Sequence, residues 1–123
     1  MPIKRAILFV NYWLPVLCVM GVIFYASNTP GKDIPPLFPY QDLVYHFSAY
    51  LALSFFFSRA LNKSKTSLSL AKIFIFAVVF AVIYGISDEF HQAFVPGRSV
   101  SAFDVLIDTL GGLTGSSIFL WLQ

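Results

Sequence analysis

The sequence predicts an all-α membrane protein, a four-helix transmembrane bundle with both termini cytoplasmic. Three observations carry that prediction. Of 123 residues, 58% are hydrophobic and only 11% charged, a composition that departs from soluble domains in the direction long apolar segments produce. Several stretches run with little or no charge for about 20 residues, the length that crosses a bilayer at roughly 1.5 Å rise per residue. The basic residues are divided unevenly among the connecting segments, which orients the chain. Residues 1–123 are expected to form a single domain, with no room for a second.

The first helix is expected over about residues 6–26, after Lys4 and Arg5. Its apolar run exceeds the roughly 7 to 15 residues of a signal-peptide core, and Phe24 and Tyr25 break the small-residue pattern of a cleavage site. It therefore reads as an anchor. Pro15 is tolerated in a membrane helix where neighbours satisfy the freed carbonyl, and it marks a place where the helix can kink. Cys18, the single cysteine, can form no internal disulfide and reads as a buried small hydrophobe. From Ser27 to Gln41 the prolines Pro30, Pro35, Pro36 and Pro39 enforce a loop, and Leu37, Phe38 and Tyr40 place it at the headgroups or over the helix ends.

The second helix is expected over about residues 43–61, opening beside Asp42 and closing near Arg59, and the polar linker NKSKTSLS follows. The third is expected over 68–87, with Lys72 in its first turn able to snorkel to the interface. The fourth is expected over 102–122. Helices joined by short loops pack most simply as an up-down bundle.

In that arrangement Lys4, Arg5, Arg59, Lys63, Lys65 and Lys72 fall on one side and only Lys32 and Arg98 on the other. The positive-inside rule then puts both termini and the middle linker in the cytoplasm. All the carboxylates, Asp33, Asp42, Asp88, Glu89, Asp104 and Asp108, belong to the opposite side, and four of these six lie between Ser87 and Asp108. Insertion does not demand such segregation, because Asp and Glu contribute little to topology; it reads as a functional surface facing outward. No basic patch of nucleic-acid type is present, so no nucleic-acid partner is expected.

Asp42 and His46 are one turn apart on the second helix, with Tyr50 a turn further in. On an extension of the third helix Asp88 lies over Gln92, with Glu89 beside them. On the fourth, Asp104, Asp108, Gly111 and Gly115 form one stripe. Three helices thus bring polar groups to one level. Asp88 and Glu89 oppose the negative end of their helix macrodipole. Asp108, one to two turns below the surface, must face the bundle interior or a wet cavity. Arg98 is expected to compensate by gripping a carboxylate with its planar fork. The remaining acids need a proton, a histidine cation, a metal ion or a cationic ligand.

Asp88, Glu89 and His46 are accordingly the catalytic candidates and also the candidate ligands of a divalent metal, with no metal assigned. Asp42, Tyr50, Gln92, Arg98, Asp104 and Asp108 are ligand-binding candidates. Plainer roles stand beside these. Ser101 with Asp104 resembles a capping box, Gly111 and Gly115 suit close helix approach, and Pro96 with Gly97 is a turn signal. His91 reads as a solvated interfacial residue, and His46 as an acid-base group, a ligand or an Asp-paired structural histidine.

The pattern Asp42-x-x-x-His46-x-x-x-Tyr50, then Asp88-Glu89-x-x-Gln92-x-Phe94-x-Pro96-Gly97-Arg98, then Asp104 and Gly111, resembles the VanZ-like family of small bacterial membrane proteins. The resemblance covers nearly the whole chain, and Ser27-Asn28 is similar to the polar end of that family's first helix. Leu43 stands where the family often has lysine, and Asp108 where it commonly has asparagine; both differences make the site more anionic. The resemblance implies a bacterial cytoplasmic membrane location, multi-pass, and an association with resistance to teicoplanin, a lipoglycopeptide acting on cell-wall precursors at the outer face.

Two functions are weighed. One is a protein that binds or modulates a lipid-linked cell-envelope component or an amphiphilic glycopeptide antibiotic in the bilayer. The other is a membrane-embedded hydrolase or transferase, with or without metal, acting on a lipid head group: Glu89 or Asp88 as base, His46 as shuttle or ligand, Arg98 as clamp on a phosphate. The sequence shows no nucleophile triad, which favours binding. An ion path would need matching polar groups in the cytoplasmic half, where the helices read VNYW, LSFFFS, FIFAVVF and IFLWLQ.

Overall fold

A computed structural model describes residues 2–64 and 67–123. Four helices occupy these residues, with no strand among them: α1 (Pro2–Ser27), α2 (Gln41–Lys63), α3 (Leu70–Gln92) and α4 (Ala102–Trp121). A single 3-10 turn, Gly31–Asp33, interrupts the proline-rich first loop. α1, α3 and α4 are each long and apolar enough to cross a membrane by length and composition; α2 is not among them.

Helix α1 passes Pro15 without a break. Helix α3 is longer than its apolar stretch suggests, running to Gln92 rather than Ser87. Polarity begins at Ser87, but nothing in SDEFHQ breaks a helix. The stop comes from the following turns, where Val95 N–H bonds to Gln92 O at 3.0 Å and Arg98 N–H to Val95 O at 3.2 Å, and from Gly97 at φ +74°. Asp88 and Glu89 therefore lie within the helix rather than beyond it.

α2 packs against all three other helices, most extensively against α4, whereas α1 touches only α2 and α3. The α2–α4 seam is made of small residues. A Cβ on Gly111 would meet the Phe47 carbonyl oxygen at 2.5 Å, and one on Gly115 would overlap the Leu51 carbonyl. Both glycines thus act in packing, as their spacing suggests. Ser54 Oγ donates to Gly112 O at 2.7 Å, and Ser58 Oγ lies 3.0 Å from Ser116 Oγ. The apolar core, Val16, Ile23, Tyr50, Leu53, Ala60 and Ala81, fills the space between α1, α2 and α3. Cys18 is exposed on α1 rather than buried, because α1 presents only a narrow stripe to the bundle: Val16, Ile23 and Ser27.

The two ends of the bundle differ. At one, Trp13 Nε1 donates to Ser64 Oγ at 2.9 Å, Asn62 bonds Gln123 at 3.1 Å, and Arg59 lies over the Tyr12 ring at 5.1 Å. This end gathers Lys4, Arg5, Arg59 and Lys63; Lys65 lies outside the described residues. The opposite end gathers the acids.

Candidate functional site

The acid-rich end is held by two loops that grip each other. Gly31 N–H bonds to Pro96 O at 3.0 Å, and the backbones approach so closely at Gly31 and Gly97 that a side chain on Gly31 would overlap the Gly97 carbonyl. Arg98 completes this clasp. Its Nη1 donates to Ala26 O at 3.0 Å, a carbonyl in the last turn of α1 that also accepts from Thr29 N–H, and to Thr29 O in the loop just beyond at 3.2 Å. The expected grip on a carboxylate is not formed. Among the described residues the side-chain bonds of Arg98 go to backbone carbonyls and not to a carboxylate, so the guanidinium ties the end of α1 and loop one to loop three.

Within the bundle, His46 from α2 finds its partner on α4. Nδ1 of His46 lies 2.8 Å from Oδ1 of Asp108, the one ion pair among the described residues. Asp42, one turn before His46, is exposed and does not take part. Asp108 is fully buried, at 0% exposure. Room for it comes from Gly85 on α3, where a Cβ would sit 2.9 Å from Asp108 Oδ2. Gly85 is a residue the sequence reading missed; its only signal was a glycine inside an otherwise bulky helix, one turn before Glu89.

Glu89 is 4% exposed, and its Oε2 accepts from the backbone N–H of Ser101 at 3.2 Å. The capping box anticipated between Ser101 and Asp104 is thus built differently. Ser101 Oγ accepts from Phe103 N–H at 3.1 Å, and the acid that returns to the cap residue's N–H is Glu89 of the neighbouring helix rather than Asp104. That arrangement answers the dipole problem: Glu89 opposes the end of α3 but sits at the favourable start of α4.

His46, Glu89 and Asp108 each offer a ligand atom within 4.8 Å of the others. Three buried atoms around this point have no hydrogen-bond partner among the described residues: Glu89 Oε1, Asp108 Oδ2 and Tyr50 Oη. The carboxylates within electrostatic reach of the Tyr50 hydroxyl are Asp88, Asp108 and Glu89. Asp104 is within reach of His46 and Glu89 without bonding either. Asp88, buried at 7% exposure, is within electrostatic reach of His46, Tyr50 and Asp108 and lines a cavity with Gln92, His46, Tyr50 and Arg98. Of the metal candidates Asp88, Glu89 and His46, the structure brings Glu89 and His46 together and puts Asp108 in the third place.

That cavity, about 590 Å³, lies between α1 and α2. Val22, Ile23, Ala26, Tyr45 and Ala49 make its apolar wall, and Asp33, Asp42, Asp88, Gln92 and Arg98 its polar end. His91, expected to be solvated, is half-buried, with its ring stacked on Phe24 at 4.9 Å and its Nδ1 3.4 Å from Ser27 Oγ.

The class these features define is a helical membrane protein whose acidic residues are gathered at one end of a bundle, several of them buried, beside a cavity. More particularly, the chain belongs to the VanZ/LLP1 family, which matches residues 12–123. No curated protein and no solved structure matches it.

Proposed function

We propose that the chain is one domain crossing the bacterial cytoplasmic membrane four times, with both termini in the cytoplasm and the acid-rich end outward. There it binds an amphiphile of the outer leaflet, a lipid-linked cell-envelope component or a lipoglycopeptide of the teicoplanin kind. Support for the fourth span comes from α2 itself. At 23 residues it is about 34 Å long at 1.5 Å per residue, and its serines Ser54 and Ser58 are turned inward and fully buried. Its low hydropathy reflects in part these buried hydroxyls, and in part the polar residues Gln41, Asp42, Asn62 and Lys63 at its two ends. Orientation rests on Lys4, Arg5, Arg59, Lys63 and Lys72 at the other end.

The observation that carries the binding reading is the cavity between α1 and α2. An apolar wall suits an acyl chain, and an end with three carboxylates against one guanidinium suits a head group carrying an amine. The test is native mass spectrometry of the protein released from its membranes in mild detergent. Ser48 is exposed and lines the cavity, so Ser48→Trp should fill it and abolish the retained amphiphile. Leu110→Trp, on the exposed face of α4, should leave it bound. Equal retention in both variants would refute the reading.

The enzymatic alternative, a hydrolase or transferase acting on a lipid head group, draws support from one contact. Asp108 orients the imidazole of His46, and His46 lines the cavity, which is how a general base is held against a bound substrate. Turnover of envelope lipids by wild type and not by His46→Gln would favour it over simple binding.

A further inference from the structure

We propose that His46, Glu89 and Asp108 form a binding site for a divalent first-row transition ion, of the zinc class, between α2, α3 and α4. The proposal rests on these three side chains and stands independently of the amphiphile reading. Their ligand atoms lie within 4.8 Å of one another, so small rotamer changes bring all three to the roughly 2.0–2.2 Å at which nitrogen and carboxylate oxygen bind zinc. Nδ1 of His46 and Oδ1 of Asp108, hydrogen-bonded at 2.8 Å, would have to separate to about 3.4 Å, the spacing of neighbouring ligands in a tetrahedral shell of that bond length.

A second observation points to a ligand rather than to a self-satisfied cluster. Glu89 Oε1 and Asp108 Oδ2 are buried without any hydrogen-bond partner, in residues 4% and 0% exposed. Buried carboxylate oxygens left in this state are costly, more so at membrane depth. Asp108 Oδ2 abuts Gly85, which is one turn from Glu89 on the same face of α3, so the orphaned oxygen is directed at the helix that supplies the second acid.

Charge selects the ion. Arg98 is engaged with the carbonyls of Ala26 and Thr29, and the histidine can answer only one acid. Two carboxylates and a neutral imidazole sum to −2, which a dication cancels within the ligand set, and Asp88 nearby adds a further acid that favours a cation. One nitrogen among the donors favours zinc and its neighbours over magnesium or calcium, which prefer all-oxygen shells. Three protein ligands leave a fourth position open, and His46 also lines the amphiphile cavity.

The experiment titrates Co²⁺ into the full chain in mild detergent after removal of bound metal by chelator, reading visible absorption and thermal unfolding. One Co²⁺ per chain should bind with the bands of a low-coordinate nitrogen and oxygen site, raise the melting temperature, and be displaced by Zn²⁺ but not Mg²⁺. Glu89→Gln, which keeps an oxygen for Ser101 N–H, should weaken binding at least about tenfold, and so should Asp108→Asn. Asp88→Asn removes a neighbouring charge but no ligand and should weaken binding clearly less than Glu89→Gln does. Absence of Co²⁺ binding by the folded wild type, or equal weakening by Glu89→Gln and Asp88→Asn, overturns the site. If Asp108→Asn does not fold, the contrast between Glu89→Gln and Asp88→Asn decides alone.

Discussion

The two seams that α2 makes, with α4 on one side and α1 on the other, are built from opposite kinds of residue. Toward α4 it meets Gly111, Gly112, Gly115 and Ser116, all buried, and the backbones come so close that carbonyl oxygens stand where Cβ atoms would be. Toward α1 it meets large side chains, Val16 and Ile23 with Tyr12, Trp13, Val19 and Met20 beside them, and at the acid-rich end a cavity of about 590 Å³ remains. In a bilayer, apolar surface gains little by leaving lipid for another helix, so close van der Waals contact and internal hydrogen bonds decide which helices adhere. The α2–α4 seam is therefore the rigid partner that positions His46 against Asp108, and α1 is the helix beside which the cavity remains.

The strongest test of this contrast is to force the tight seam apart. Gly115→Leu places a side chain where the Leu51 carbonyl already lies, and since backbone cannot rotate away, the cost should exceed the ~1–3 kcal/mol of ordinary overpacking. Thermal unfolding in detergent should fall steeply. Gly21→Leu, on α1 where no atom lies within 4 Å, should change stability little. Comparable losses at both positions would mean that the seams do not differ as described.

Next in size is the clasp that anchors α1 despite its sparse packing. Arg98→Ala removes two charge-assisted bonds, an exposed one to the Ala26 carbonyl and a part-buried one to the Thr29 carbonyl, which solvent screening holds to about 1 kcal/mol each. Because Arg98 holds α1 and not the acids, the melting temperature should drop and amphiphile retention weaken while Co²⁺ binding at His46, Glu89 and Asp108 persists. Loss of metal binding in proportion to stability would return Arg98 to the role of counter-charge. Lys32→Ala, at an exposed position, should be silent in both.

The fold was legible in the sequence because its signals are local. Charge-free runs, prolines after α1 and Pro96-Gly97 after α3 locate the elements, and the end of α3 was misplaced only because polarity at Ser87 is not a helix stop. The polar residues were legible too, since Asp88, Glu89 and Asp108 stand out in an apolar chain. Their partners were not. His46 lies one turn from Asp42 but bonds Asp108, 62 positions away, and Ser101 takes its capping acid from Glu89 rather than from Asp104 within its own helix. Such pairings depend on which faces two helices present at their crossing. Gly85 shows the same limit, since it acquires meaning only once Asp108 is packed against it.

The smallest predicted effect separates hydrogen bonding from shape within the tight seam. Ser58 and Ser116 are both 0% exposed and pair at 3.0 Å. Removing one hydroxyl leaves the other buried without this partner, so Ser58→Ala or Ser116→Ala alone should destabilise by about 1 kcal/mol. The double variant removes both hydroxyls, leaves two methyl groups at a contact already sized for small side chains, and should lie within about 0.5 kcal/mol of wild type. A double-mutant cycle measured by unfolding in detergent checks this through the sign of the coupling. If the double variant instead sums the two single losses, the serines serve the seam through separate partners, and close approach at Gly111 and Gly115 is its principal adhesive.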